Sequence, residues 1–374
     1  MVKKFAQENK EMTLDIIRDL CAIPAPSFGE AKRAAYCKKW LEDAGAEGVY
    51  IDCVNNVLFP LGCEGSDEIT VIMAHLDTVF PDTVSYPEYR ETDACIHCPG
   101  VGDNTARVAA MMMTAKYLID NGIKPEKGIL FVCNACEEGL GNLVGVKQVM
   151  ADFAGRVRQF ISIDASIGSY VDGAVGSHRY EVEVRTEGGH SFGNFGNKNA
   201  IHALAEIIGE IYAIDIPQKE GTKTTLNVGT IKGGTSVNTI AQNAKMLCEY
   251  RSNDRESLEI MRQTFEGIFR AARNERVEVN VTLVGNRPCK GEVDKNVERG
   301  LVEAYQNALR EVTGKEAQCH YSSTDANIPM SLGIASIVIG ACVSYGAHTR
   351  EEYLEKASVA DGVAVVLQTV LALI

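Results

Sequence analysis

Three apolar stretches of the sequence end in residues that bind metals or move protons. The first, "TVIMAHLDT", contains His75 and Asp77; the second, "FVCNACEE", ends in Glu137 and Glu138; the third, "FISIDAS", contains Asp164. Short apolar runs are typical of buried strands, and ligands of open α/β sheets bind beyond the carboxyl ends of the strands. Carboxylates buried together need a compensating cation. We therefore predict a site for one or two divalent metal ions at these strand ends.

Asp103 and His348 are further candidate ligands, although each has a plainer explanation. Asp103 lies in "PGVGDNTA", directly before a predicted helix, where an aspartate can be the N-cap. His348, in "SYGAHTREEYL", follows a predicted strand and precedes the last predicted helix. A single histidine there is more often structural or exposed than a ligand. The residues alone leave both alternatives open.

Two C-x-x-C pairs offer a competing metal or redox site. Cys95 and Cys98 form one pair, and Cys133 and Cys136 form the other. The gap between the pairs is far longer than the roughly 15–20 residues of a structural zinc site. The second pair also lies in an apolar strand, where residues three apart point to opposite faces. We expect Cys133 and Cys136 to be small apolar residues of the core.

Other polar residues are not expected to take part in the chemistry. His97, His178, His202 and His320 belong to no motif, so we interpret them as structural or surface residues. The segment "SSTDANIP" (322–329) resembles an exposed loop. We expect it to line the site without a catalytic role.

The elements that must position the candidate residues alternate between strands and helices. Strands are predicted at 49–52, 56–60, 68–74, 128–135, 159–165, 317–321 and 335–339, and helices at 10–20, 30–44, 104–120, 294–312 and 353–373. The first two helices are separated by "CAIPAPSFG", whose prolines break the helix. The alternation predicts an α/β fold in which helices flank a mixed sheet.

The pattern changes near Gly176, where "HRYEVEVRT" alternates as a half-exposed strand does. A helix at 199–213, strands at 225–231 and 244–251, a helix at 255–273 and a strand at 276–284 follow. This β-α-β-β-α-β order is that of a small two-layer α+β sandwich. We predict a catalytic domain formed by residues 1–176 and 287–374, interrupted by a lid domain at 177–286.

Length, charge and cysteine content narrow the class of protein. The chain of 374 residues is longer than one hydrophobic core usually stabilises. Net charge is −13, from 37 basic and 50 acidic residues, which disfavours nucleic acid and anionic membranes as partners. No run approaches the roughly 20 apolar residues of a membrane span, and "MVKKFAQENKEM" has no apolar signal-peptide core. We expect a cytoplasmic protein whose twelve cysteines stay reduced.

Seven motifs occur together in a recognisable order. They are "AHLDTV", "GVGDNTARVAA", "CEEGLGN", "SIDAS", "EGGHSFGNFGNKNAI", "GGTSVNTIA" and "GAHTREEYL". Each is weak by itself, but their order and separation resemble the M20 family of metallopeptidases and deacylases, in the branch that includes peptidase T. The resemblance runs from roughly residue 10 to the last residue. It implies a zinc-dependent catalytic domain with an inserted lid or dimerisation domain.

The resemblance also implies two co-catalytic divalent metal ions per chain, zinc by preference, with cobalt or manganese as alternatives. Asp103 would bridge the two ions. His75 and Asp164 would complete one site, and Glu138 and His348 would complete the other. Imidazole and carboxylate ligands are types that suit such ions.

Two further carboxylates have implied roles in catalysis. Glu137 would be the general base that takes a proton from a metal-bridged water and later passes one to the leaving amine. Asp77 would orient and polarise the His75 imidazole.

The lid contributes residues that the resemblance places at the substrate. His190, in "GGHS", would stabilise the tetrahedral oxyanion, often in the active site of the partner subunit, so a homodimer through the lid is implied. Asn238 and Arg251 would line the substrate site, and Arg251 could bind a substrate carboxylate bidentately. A surface position is the alternative for His190 and for Arg251.

The expected substrate is a small peptide with a free amino group. Asp164 favours this, because several deacylases of the family have glutamate at that position. An N-acyl- or N-carbamoyl-amino-acid amidohydrolase with the same metal core is the alternative. Thr105 and Arg107 stand where the family commonly has lysine and glycine, so this chain departs from the family pattern at two positions near Asp103.

Overall fold

The structure, a computed structural model, describes residues 1–81 and 89–374. Its α-helices are α1 (Val2–Glu8), α2 (Lys10–Cys21), α3 (Ala31–Asp43), α4 (Arg107–Asp120), α5 (Val144–Asp152), α6 (Ala200–Tyr212), α7 (Arg255–Ala271), α8 (Lys295–Thr313), α9 (Asn327–Ser331) and α10 (Ser358–Leu371). Its strands are β1 (Tyr50–Ile51), β2 (Val57–Leu61), β3 (Ile69–His75), β4 (Arg90–Glu91), β5 (Cys95–His97), β6 (Gly128–Asn134), β7 (Val157–Ser166), β8 (Ser169–Ala174), β9 (Gly176–Arg185), β10 (Gly189–His190), β11 (Thr224–Gly233), β12 (Thr239–Ile240), β13 (Asn243–Ser252), β14 (Glu278–Arg287), β15 (Gln318–Ser322), β16 (Ala335–Cys342), β17 (Ser344–Tyr345) and β18 (Tyr353–Glu355).

An eight-stranded mixed sheet positions the candidate site. Its order is β1-β2-β6-β3-β7-β16-β8-β15, and the four central strands β6, β3, β7 and β16 are parallel. Both β3 and β6 are buried along their whole length, because one apolar cluster covers each face of the sheet. This explains their continuous apolar sequences. The predicted α/β fold with a mixed sheet is confirmed.

A second, antiparallel sheet has the order β11-β13-β9-β14. Helices α6 and α7 pack on it around a core that includes Val182, Met246 and Phe265. The long elements follow one another as β9-α6-β11-β13-α7-β14. This is the β-α-β-β-α-β order of a two-layer α+β sandwich that the sequence predicted.

The chain divides into two units by its internal contacts. The first unit comprises Met1–Ala174 and Gly291–Ile374, and the second comprises Val175–Lys290. A catalytic role for the first unit and a lid or dimerisation role for the second remain predictions. Among the described residues, none of the helices combines the length and the apolar character needed to span a bilayer.

Two helices begin later than the sequence predicted. The last helix was expected from residue 353, but residues Tyr353–Glu355 form β18, which pairs with β5, and α10 begins at Ser358. Helix α4 was expected from residue 104 but begins at Arg107, because residues 101–106 form an irregular turn. In both places a tertiary contact overrides the local helical preference.

Candidate metal centre

His75 is the last residue of β3, and its imidazole is buried. Nδ1 lies 3.0 Å from the backbone oxygen of Asp77 and 3.5 Å from Asp77 Oδ1. When Nδ1 donates its proton there, the lone pair of Nε2 faces Asp103 Oδ1 at 3.1 Å and Asp164 Oδ1 at 3.7 Å. Because β3 and β7 are parallel neighbours, their carboxyl ends bring His75 and Asp164 to the same edge of the sheet.

Asp103 comes from the irregular turn that precedes α4. Asp103 and Asn104 depart from helical dihedral angles and are joined by a cis peptide bond. The residue before α4 is Ala106, and no side chain caps that helix. The N-cap alternative for Asp103 is therefore wrong. Its carboxylate is directed instead toward histidine nitrogens.

Glu352 holds the backbone of this turn. Its buried carboxylate accepts hydrogen bonds from the backbone N–H of Gly102 and of Asp103, both at 2.9 Å, and of Gly100 at 2.5 Å. This residue was not predicted from the sequence. The only signal for it is its position four residues after His348, on the far side of a turn.

The two positions that depart from the family pattern are buried and hydrogen-bonded. Thr105 Oγ1 accepts a hydrogen bond from Arg33 Nη1 at 3.2 Å. Arg107 donates from Nε to the Ala165 carbonyl at 2.8 Å and from Nη1 to the Gly102 carbonyl. Arg107 thus links the backbone of Ala165, which follows Asp164, to the backbone of Gly102, which precedes Asp103.

His348 brings a second imidazole to the other side of Asp103. Its Nε2 lies 3.1 Å from Glu138 Oε1 and 3.2 Å from Asp103 Oδ2. One ligand atom from each of His75, Asp103 and Glu138 lies within 4.8 Å of the other two. A carboxylate with one oxygen toward each imidazole is the arrangement expected of a residue that bridges two cations.

Glu137 and Glu138 follow β6 and are both buried. The backbone N–H of Glu137 donates to Asp77 Oδ1, and that of Glu138 donates to Asp77 Oδ2, each at 2.9 Å. Asp77 therefore fixes the backbone of both glutamates in addition to its contact with His75. Only the contact with His75 was predicted from the sequence.

The charges of the site fit divalent cations. Burial raises the pKa of Glu138. Burial by itself lowers the pKa of His75, but Asp103 and Asp164 raise it well above its ordinary value. Hydrogen bonds to Asp103 and Glu138 raise the pKa of His348 to about 10. Each of these raised pKa values means that an added positive charge stabilises the group of carboxylates. Imidazole and carboxylate groups are also ligands of zinc and related metals.

Asp325 corrects the prediction for residues 322–329. That segment was expected to be an exposed loop, but Asp325 is 1% exposed and α9 begins at Asn327. Asp325 Oδ2 accepts a hydrogen bond from Asn134 Nδ2 at 2.8 Å. Burial, together with the charges of Asp164 and Asp77, raises the pKa of Asp325 to about 7, against the opposing effects of His75 and of the Asn134 hydrogen bond. The contact joins residues 191 positions apart, which no local pattern reveals.

The cysteines do not form the competing site. Cys133 and Cys136 are buried, and neither forms a disulfide bond. The Cys136 thiol donates to Glu30 Oε1 at 3.3 Å. Within residues 1–81 and 89–374, the one group of His, Cys, Asp and Glu side chains close enough to share a cation contains no cysteine. The prediction that Cys133 and Cys136 are core residues is confirmed.

His190 and Asn238 lie on adjoining segments of the second unit. Strands β10 and β12 pair, and the Ser191 N–H donates to the Asn238 carbonyl at 3.0 Å. His190 Nδ1 accepts hydrogen bonds from the backbone N–H of Phe192 at 3.3 Å and of Gly193 at 3.2 Å. The neutral ring therefore carries its proton on Nε2, where it can donate.

Arg251, on β13, is engaged by a carboxylate of the protein itself. Its Nε lies 2.8 Å from Glu249 Oε1, and its Nη2 lies 3.1 Å from Glu249 Oε2. Arg179 also donates to Glu249, at 3.1 Å. A substrate carboxylate would therefore need the remaining edge of the Arg251 guanidinium or would have to displace Glu249.

Residues 189–193 also fit the G-x-S-x-G pattern of serine hydrolases. In those enzymes the serine lies on a sharp turn that leads from a strand directly into a helix. Here Ser191 follows the two-residue strand β10, and α6 begins only at Ala200. The segment lacks the geometry of a nucleophile elbow.

Comparison with known sequences gives a consistent set of relatives. The model of peptidase family M20/M25/M40 matches residues 71–372. Acetylornithine deacetylase of Myxococcus xanthus is 26% identical over 351 residues, which cover 89% of this chain and 87% of that protein. The match to the probable carboxypeptidase of Arthroderma gypseum covers 52% of its length, so this chain spans about half of that relative.

Solved structures with the same fold cover almost the whole chain. Aminopeptidase PepT from Bacillus cereus superposes with a TM-score of 0.72 at 21% identity, over 97% of this chain and 98% of its own. A tripeptidase from Staphylococcus aureus gives a TM-score of 0.75 at 23% identity, over 98% of this chain and 99% of its own. At these identities the likeness shows a shared fold.

Proposed function

The chain belongs to peptidase family M20/M25/M40, and from that membership we propose that it is a two-metal hydrolase that removes the amino-terminal residue from small peptides. One observation carries the assignment of the site. The Asp103 carboxylate lies between His75 and His348, with Glu138 and Asp164 beside them. This supports a pair of cation sites that share one carboxylate.

The donor set divides naturally between two ions. His75, Asp103 and Asp164 would hold one, and Asp103, Glu138 and His348 would hold the other. When bound, the ions supply Lewis acidity, which lowers the pKa of water and polarises the scissile carbonyl. We propose zinc, with cobalt or manganese as alternatives, because imidazole and carboxylate ligands accept all three.

Glu137 is the proposed general base. It is buried beside the ligand Glu138, and Asp77 holds its backbone at 2.9 Å. Its carboxylate would take a proton from the attacking water and donate a proton to the leaving amine. Glu138 would serve as a ligand, because a carboxylate that binds a cation is a poor base. Asp77 would keep His75 in the tautomer that leaves Nε2 for the cation.

The second unit is proposed to complete the substrate site. The proton that His190 carries on Nε2 could stabilise the oxyanion, with Asn238 and Arg251 as substrate contacts. We propose a homodimer through this unit. Phe192 and Phe195, beside His190, are 89% and 90% exposed, and exposed aromatic side chains are enriched at interfaces. Light scattering of the purified protein would test the dimer directly.

Two substrate classes compete. A peptide with a free amino group is favoured by Asp164 and by the fold shared with the tripeptidase. An N-acyl- or N-carbamoyl-amino acid is favoured by the acetylornithine deacetylase relative, which matches nearly the whole chain. Both reactions break an amide bond, so the same metal ligands and the same base would serve either one.

Metal analysis combined with a hydrolysis panel tests the proposal. The panel contains free-amino dipeptides and tripeptides together with N-acetyl- and N-carbamoyl-amino acids. We expect about two divalent ions per chain and turnover of the free-amino peptides. Turnover of the acylated compounds alone would replace the peptidase by the deacylase. No bound metal, and no activation by Zn²⁺, Co²⁺ or Mn²⁺, would contradict the two-metal site.

We also propose a cytoplasmic location, without nucleic acid or membrane partners. The cysteines of the described residues form no disulfide bond and most of them are buried, which is typical of proteins kept in a reducing compartment. The net charge of −13 disfavours association with polyanions. Fractionation of cells that produce the untagged protein would test the location.

A further inference from the structure

The segment between α2 and α3, residues 22–30, runs along the strand end that carries Asp77. The Thr78 N–H donates to the Ala25 carbonyl at 2.8 Å. Ser27 Oγ donates to Asp77 Oδ2 at 2.6 Å and lies 3.2 Å from the carbonyl oxygen of Glu138. The segment therefore contacts the backbone of the candidate site in addition to connecting two helices.

Glu30 ends this segment and is completely buried. Its Oε1 accepts hydrogen bonds from the Cys136 N–H at 2.9 Å, from the Phe28 N–H at 2.9 Å and from the Cys136 thiol at 3.3 Å. Its Oε2 has no hydrogen-bond partner within the described part of the chain. Burying a carboxylate is unfavourable unless its hydrogen bonds compensate. The compensation here comes mainly from Cys136, the residue before the two glutamates.

Cys136 has a backbone conformation that needs support. Its φ is +58°, in the left-handed region that a residue with a side chain rarely adopts. The chain folds back closely on this residue: the Leu143 N–H donates to the Cys136 carbonyl at 3.0 Å, and a Cβ on Gly141 would come within 2.8 Å of the Cys136 backbone. Burial raises the pKa of the thiol, so the sulfur keeps the proton that it donates to Glu30.

We propose that Glu30 is a positioning residue for Glu137 and Glu138. Three consecutive backbone N–H groups, those of residues 136, 137 and 138, are held by two buried carboxylates, Glu30 and Asp77. Without Glu30, Cys136 relaxes from its left-handed conformation and redirects the two side chains that follow it. The inference rests on the proposed function, in which Glu137 moves protons.

The first test needs no substrate. Glu30→Met keeps the length of the side chain and removes the acceptor, whereas Glu30→Gln keeps an acceptor oxygen for the Cys136 N–H. Hydrogen exchange of the peptide that covers residues 133–143 is measured for both variants and for the original protein. We expect exchange at least about tenfold faster in Glu30→Met and nearly unchanged in Glu30→Gln. Equal exchange in all three proteins, at equal melting temperature, would overturn the proposal.

The second test separates positioning from simple stability. With saturating metal, kcat of Glu30→Met should fall about 10–100-fold with KM within about twofold, and Glu30→Gln should restore most of the loss. Cys136→Ala, which removes only the thiol donor, should lower kcat about threefold. If Glu30→Met does not fold, Cys136→Ala provides the test in its place. The matched control is Cys63→Ala, because the buried Cys63 thiol donates to Ile129 near the other end of β6. It should lose stability and keep its kcat.

Glu137→Gln, measured in parallel, distinguishes two kinds of failure. If Glu137→Gln turns over normally, the part of the proposed function that makes Glu137 the base fails, and the positioning of a base by Glu30 fails with it. If Glu137→Gln is inactive while Glu30→Met and Cys136→Ala match the Cys63→Ala control in kcat, only the role of Glu30 is wrong.

Discussion

The carboxylate of Asp103 lies between two imidazoles, with one oxygen toward each. Oδ1 is 3.1 Å from His75 Nε2, and Oδ2 is 3.2 Å from His348 Nε2. Burial raises the pKa of Asp103, but His348 and His75 outweigh it, so the pKa lies well below its usual value. The residue is therefore an anion that faces both imidazoles at once.

Asp103→Ala should remove both metal ions. The change takes away the shared ligand and leaves each half of the site with two donors. Metal content after dialysis, measured by mass spectrometry, should fall from about two ions per chain to a small fraction of one. Asp361→Ala, at an exposed position of α10, is the control and should keep its metal. Full metal retention in Asp103→Ala would remove the bridging role.

Glu137→Gln should keep the metal and lose most of the turnover. The amide has nearly the same shape as the carboxylate, but it cannot accept the proton of the attacking water. We expect kcat to fall by about 10²–10⁴-fold, with metal content and melting temperature close to those of the original protein. A kcat within about threefold of the original would show that another group is the base.

The sequence was most informative where a buried strand ends in polar residues. β3 and β6 are continuous apolar runs because helices cover both faces of the sheet, and this made His75, Glu137 and Glu138 visible as strand-end residues. The order of the motifs then added Asp103 and His348, for which local spacing allowed a helix cap or a surface residue. The structure brings His75, Asp103, Glu138 and His348 together in the first unit.

The residues that support the site were not predictable from local patterns. Glu30 contacts Cys136 across 106 positions, and Glu352 contacts Gly102 across 250. Each is a charged residue in an ordinary polar segment, which sequence alone assigns to the surface. Their burial depends on three-dimensional partners, because a buried carboxylate needs hydrogen-bond donors, and for Glu30 and Glu352 these are backbone N–H groups from distant segments.

Gly362→Ala should strongly destabilise the first unit. A Cβ at this position of α10 would lie 1.3 Å from the carbonyl oxygen of Ala341 on β16, so the helix would have to move away from the sheet. We expect a loss of about 3 kcal/mol or more in the free energy of unfolding, measured by urea denaturation. Gly300→Ala, in α8 with no atom within 4 Å of the new Cβ, is the control. It should gain up to about 1 kcal/mol.

Glu352→Gln should weaken both the fold and the metal site. The glutamine amide would face at least one of the N–H groups of Gly100, Gly102 and Asp103, leaving a buried donor without an acceptor. We expect a loss of about 1–3 kcal/mol in the free energy of unfolding of the metal-free protein. Metal affinity should fall about 10–100-fold. The adjacent exposed residue provides the control, Glu351→Gln, and equal metal affinity in the two variants would contradict the role of Glu352.

Asp325 should make the metal-free protein less stable as the pH rises. Its pKa is about 7 in the folded chain, against an ordinary value near 3.8, so the folded state favours the protonated form. The contribution of this group to the free energy of unfolding is fully present below about pH 4 and is lost as the pH rises toward about 7.

Asp325→Asn isolates this effect, because an amide does not titrate and can still accept the hydrogen bond from Asn134 Nδ2. Free energies of unfolding are measured in chelator at pH 5 and pH 8 for both proteins. From pH 5 to pH 8, the free energy of unfolding of the variant should rise relative to that of the original protein by roughly 1–3 kcal/mol. Other titrating groups, such as His75 and His348, are common to both proteins and largely cancel in the difference. A difference that does not change with pH would mean that Asp325 is ionised in the folded protein even at pH 5.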